Sequence, residues 1–249
     1  MVLTIALVGC SGNGRADGML PTAPPTTAPT VTTSVATTTT VLPSTTVAAT
    51  STVAPAATTV VAGVGLSPDG PWRLVDSAPG VTTPGLVYEL MPKLWAFIQL
   101  EETDTSTYPW TLNDADQPII EAYLQAQLTY YQAATSDPID FNQPGWTQFY
   151  DVGGSGRFEP LKQRRLDGQV ADLDVGVVFQ PWLLGDERTD TYAIVADCVL
   201  DGGVFRMPDG SLAEGSTAGV ARVGKAARME VIDEQWKVVA EGSFDGGCS

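Results

Sequence analysis

Hydrophobic and polar positions along the chain change their period twice, and the changes divide it. Up to Gly63 there is no period at all. Residues 20–63 are almost wholly Thr, Pro, Ala, Val and Ser, and prolines at 21, 24, 25, 29, 43 and 55 interrupt any ladder. With no large side chain to build a core, this stretch reads as an extended spacer. From Leu66 to Glu102, short apolar runs (Leu86 to Leu90, Leu94 to Leu100) alternate with Pro/Gly turns. They predict two or three short strands wrapping the domain, with Trp72, Trp95 and Phe97 supplying buried contacts.

A helical period follows. Asn113, Asp114 and Asp116 precede Pro118, an acidic cap with a first-turn proline. Ile120, Tyr123, Leu124, Gln127, Tyr130 and Tyr131 then recur at spacings of three and four, predicting a helix to about Ala134. Ser136-Asp137-Pro138 stops it. Pro144 to Tyr150 predicts a short second helix, and Phe158 to Val170 a third, with Gly168 near its end. Beyond Val170 the period becomes two. Ala171 to Phe179 reads as a strand, and Asp190 to Leu200 alternates with Tyr192, Ile194, Ala196, Cys198 and Leu200 on one side. Val204 to Met207, Ala218 to Ile232 and Gln235 to Glu241 complete a meander, with a hairpin tip at Asp233-Glu234. Three helices before an antiparallel sheet is an α+β pattern.

Composition changes the picture mainly by exclusion. The net charge is -16, and the 13 Lys and Arg form no tract beyond Lys162, Arg164 and Arg165, so nucleic acid is not an expected partner. Histidine is absent, which removes histidine bases and histidine metal sites. No phosphate loop, calcium loop or zinc spacing is present. Gly153-Gly154-Ser155-Gly156 lacks the following lysine and reads as a connector; Asp186, Glu187 and Asp190 are too irregular for a cation site. No cofactor or metal is expected.

The 3 cysteines have separate roles. Val2 to Gly9 is an apolar run ending in small residues, and Leu7-Val8-Gly9-Cys10 resembles the bacterial lipobox. That resemblance implies a signal segment over residues 1–9 and acyl chains on Cys10, anchoring the protein to the outer side of the cell membrane. The run has no Lys or Arg and is short for a signal peptide, so the true start is expected upstream of Met1. Residues 10–63 then form a lipidated tether; about 44 extended residues reach on the order of 100 Å. Clustered Thr beside Pro also suits O-glycosylation. In an exported protein, Cys198 and Cys248 are expected to pair.

The long tyrosine-bearing helix and two shorter helices are followed by Val195-Ala196-Asp197-Cys198-Val199-Leu200-Asp201, Glu234-Gln235-Trp236-Lys237-Val238 and Gly246-Gly247-Cys248. In that order they resemble the NTF2-like (SnoaL-like, cone-shaped) superfamily, and within it the actinobacterial secreted lipoproteins. The resemblance covers about Trp110 to Cys248, and the order of the pieces is more specific than any one of them. It implies an NTF2-like cone over residues 110–249, three helices on a curved antiparallel sheet. Residues 64–109 would be extended segments packing on it.

Such a cone often has a pocket open at one end, and Tyr123, Tyr130, Tyr131 and Asp197 are the candidate lining residues. Three functions remain open. The domain binds a small apolar ligand or an envelope protein without catalysis; it is an isomerase or dehydratase in which a tyrosine and Asp172, Asp174 or Asp197 move a proton; or it is a scaffold. The alternation leaves the face of Asp197 undetermined, and the chain is expected to be a monomer or dimer.

Overall fold

The computed structural model describes residues 65–99, 112–153, 155–185 and 188–244, together with Cys248. Cys10, the tether, Asp186 and Glu187 lie outside the described residues. Within them the chain forms an α+β domain: β1 (Arg73–Val75), β2 (Gly85–Met91), β3 (Leu94–Gln99), α1 (Gln117–Ala134), α2 (Gly145–Gln148), α3 (Phe158–Leu166), β4 (Val170–Asp172), β5 (Val177–Phe179), β6 (Pro181–Leu183), β7 (Tyr192–Asp201), β8 (Val204–Arg206), β9 (Ala221–Ile232) and β10 (Gln235–Ser243). The main sheet runs β1-β2-β3-β5-β7-β9-β10, with β6 also pairing β7, while β4 and β8 form a separate ribbon. All pairs are antiparallel except β3 with β5.

α1 begins where the caps predict. Asn113 Oδ1 accepts the backbone N–H groups of Ala115 and Asp116 at 3.0 and 3.1 Å, and Arg188 pairs with the Asp116 carboxylate. The helix carries one charged residue, Glu121, and is buried on most sides: Ile119, Ile120, Leu124 and Ala126 are each 1% exposed or less. A three-turn or longer helix this apolar must be covered on several faces. Here the sheet, α2 and the approach to α3 cover it, and no described helix is long and apolar enough to cross a membrane.

Several expected boundaries move. Ala171 to Phe179 is not one strand. Asp174 and Val175 turn outward, Gly176 takes φ +89, and the two halves, β4 and β5, join different sheets. A left-handed residue at that point ends a ladder, and glycine, having no Cβ, tolerates it. α3 stops at Leu166 rather than Val170, because Gly168 at φ +68 reverses the chain. The segments expected to wrap the domain are β1 to β3, strands of the main sheet itself, with Phe97 buried and Trp72 and Trp95 partly so.

β7 is the axis of the sheet, and it is buried on both faces. Ala193, Val195 and Val199 face the α1 core; Ala196 and Cys198 face a smaller cluster with Trp182. Cys198 and Cys248 are joined by a disulfide with Cα atoms 5.4 Å apart. Beside it, β9 runs unbroken through Gly224, opposite Cys198. The Phe244 backbone crosses so closely that a Cβ at Gly224 would lie 1.9 Å from its carbonyl oxygen. Glycine therefore allows the C-terminal segment to close over the disulfide face.

Candidate functional site

The register of β7, β9 and β10 collects polar residues on the face that meets α1. Asp197 stands directly opposite Lys225, and Glu241 opposite Ala227, while Asp201 ends β7. Asp197 is fully buried. Its Oδ1 accepts the Gln180 backbone N–H at 2.7 Å, and its Oδ2 accepts the Tyr123 hydroxyl at 2.7 Å. Burial pushes the Asp197 carboxyl up from 3.8 to about 7; the Tyr123 and Gln180 bonds and Lys225 oppose that rise, and Glu241 adds to it. The Tyr123 phenol is held well above its ordinary value, first by burial and then by Asp197.

One turn further along α1 lies a second polar group. Gln127, with no exposure, donates from Nε2 to Glu241 at 2.6 Å and accepts from Arg157 Nη2 at 3.1 Å. Arg157 also ion-pairs with Glu241, and its guanidinium sits 4.4 Å from the centre of the Tyr130 ring. Gln127, Arg157 and Glu241 thus form a closed triangle of polar contacts. The Tyr150 hydroxyl and Trp146 Nε1 are buried nearby without a hydrogen-bond partner among the described residues.

Between these groups and the β4–β8 ribbon is a cavity of about 100 Å³. Tyr130, Tyr131, Arg157, Asp201 and Lys225 form its polar wall; Leu173, Val204 and Phe205 belong to the apolar one. Burial, followed by the nearby Asp201 carboxylate, raises the Tyr131 phenol well above its usual value. Lys225 is held below the usual lysine range by burial and then by Arg157, against the pull of Asp201, Glu241 and Asp197. A second cavity, about 120 Å³, opens on the opposite face of the sheet between Thr82, Thr83, Trp182 and Arg222.

The candidate lining residues therefore separate. Tyr130 and Tyr131 line the first cavity, whereas Tyr123 and Asp197 are bonded to each other and line neither. The other candidate carboxylates are superficial: Asp172 pairs with Arg206 at 2.6 Å, and Asp174 is exposed in the β4–β5 turn. Arg157, Asp201, Lys225 and Glu241 were not singled out by the sequence. Their only prior signal is a charged residue interrupting an apolar strand face, as Lys225 and Glu241 do. Among the described residues no cluster of acidic or cysteine side chains is arranged to hold a metal ion.

No family model matches the chain, and no curated protein matches it. Among solved structures, it is similar to the crystal structure of the intermembrane space region of the chloroplast protein ARC6. That likeness has 11% identity and a TM-score of 0.35, covering 49% of this chain and 91% of the other, and at that score it carries no argument.

Proposed function

We propose that the chain is a lipid-anchored envelope protein whose domain, an NTF2-like cone, binds a small ligand without transforming it. Acylation of Cys10, the Thr/Pro tether and location outside the cell membrane are parts of this reading. The observation that carries it is the cavity of about 100 Å³ with Tyr130 and Tyr131 in its wall. Folded proteins rarely keep space of that size beside buried charges unless water or a ligand occupies it. Its size suits a ligand of one ring or a short chain, smaller than most drug-sized pockets hold.

Ala171 offers a direct test, because it lines the cavity from β4. Ala171→Leu adds three carbons to the wall. In a thermal-shift screen of one-ring and short-chain compounds, hits are expected to stabilise the natural chain and to lose most of that effect in the variant. Compounds that stabilise both equally, or the absence of any hit, would overturn the reading.

A second reading, proton transfer by an isomerase or dehydratase, draws on the Asp197–Tyr123 bond and on a carboxyl half-ionised near neutrality. It requires a substrate path to a pair that lines neither cavity. Loss of a turnover activity on Tyr123→Phe, with ligand affinity unchanged, would favour it.

A further inference from the structure

The cavity wall contains more hydrogen-bond donors than acceptors. Lys225 Nζ carries three N–H groups and makes no hydrogen bond among the described residues; its nearest carboxylate oxygen, Asp201 Oδ2, is 3.8 Å away. That Asp201 is itself engaged through Oδ1, which accepts the Gly203 N–H at 3.0 Å. Tyr130 and Tyr131 line the same space, and their hydroxyls make no hydrogen bond among the described residues. Arg157 adds a second cation whose own acceptors, Glu241 and Gln127, lie behind the wall. Two cations and one acid line this space in a protein of net charge -16. These donors face the cavity and its water, so an occupant that displaces that water has to supply acceptors in its place.

We propose that the cavity selects small monocarboxylates with a compact apolar body. The carboxylate would accept from Lys225 Nζ and the Tyr131 hydroxyl, and the body would lie against Leu173, Val204 and Phe205. The inference rests on the ligand-binding reading and names the ligand class. A wholly apolar ligand would leave the lysine and both hydroxyls unsatisfied, and a cation would meet Arg157 and Lys225 at close range. Charge-assisted bonds carry more affinity than neutral ones, so the selectivity belongs to the head group and not to the ring.

Benzoate and benzamide separate the two claims, because they share a ring and differ in charge. Titrated into the full chain by calorimetry near neutral pH, benzoate is expected to bind roughly tenfold or more tightly than benzamide. Lys225→Met should abolish that preference, and Tyr131→Phe should reduce it in part. Equal affinity for both probes, abolished by Ala171→Leu, would overturn the carboxylate inference and leave the pocket standing. Failure of both probes and of every other compound of this size to bind would overturn the pocket as well. A preference for benzoate that survives Lys225→Met would show the anion bound elsewhere, against the proposal.

Discussion

Asp197 makes a quantitative prediction, because its protonation is coupled to folding. Tyr123, Gln180, Lys225 and Glu241 surround the carboxyl, and burial raises it from 3.8 to about 7 in the folded chain. A carboxyl raised by folding stabilises the native state fully below its unfolded pKa. That contribution is lost as pH rises through the folded value. For this group alone, native stability should fall by about 2 kcal/mol between about pH 5 and about pH 7. Asp197→Asn removes the titration and keeps the neutral shape: its carbonyl can accept from Gln180, and its amide can face the Tyr123 hydroxyl oxygen. Urea unfolding of both chains across that range gives a difference in which the remaining carboxylates cancel. The natural chain should lose ground steadily to the variant as pH rises. A constant offset, or a difference that grows in favour of the natural chain, would refute a buried, largely neutral Asp197.

Other perturbations probe separate parts of the account. Replacing Cys198 and Cys248 together by Ala opens a loop of separation 50 and should cost about 4 kcal/mol, read as a lower urea midpoint; an unchanged midpoint would contradict the stabilising role. Arg157→Met leaves the largely buried Glu241 with Gln127 but no counter-ion and should destabilise the fold by about 3 kcal/mol or more, part of which Arg157→Met/Glu241→Leu should restore. A double variant no better than the single would mean that the pair does not act as a unit. Cys10→Ser should move the protein from the membrane fraction to the soluble extracytoplasmic fraction, and continued membrane association would defeat the lipid anchor.

The sequence made α1 readable because three signals agreed: acidic caps before Pro118, a three-and-four spacing, and a Ser-Asp-Pro stop. It also placed Tyr130 and Tyr131 together and paired Cys198 with Cys248. What it could not carry was register. Leu94 pairs in parallel with Val177, far along the chain, and no local pattern announces that. Asp197 illustrates the same limit, since alternation alone left its face open until the β7–β9 pairing set it opposite Lys225. Arg157, Asp201 and Lys225 meet around one cavity only because α3, β7 and β9 converge there. The β4–β5 error has a simpler cause: Ala171, Leu173, Val177 and Phe179 keep an even spacing across a turn that Gly176 makes.

A structure of the full chain with benzoate bound is the most direct measurement. Density is expected in the cavity between α1 and the β7–β9 face, with carboxylate oxygens within hydrogen-bond distance of Lys225 Nζ and the Tyr131 hydroxyl. A cavity closed by its own side chains, with benzoate absent or seated on another surface, would contradict it.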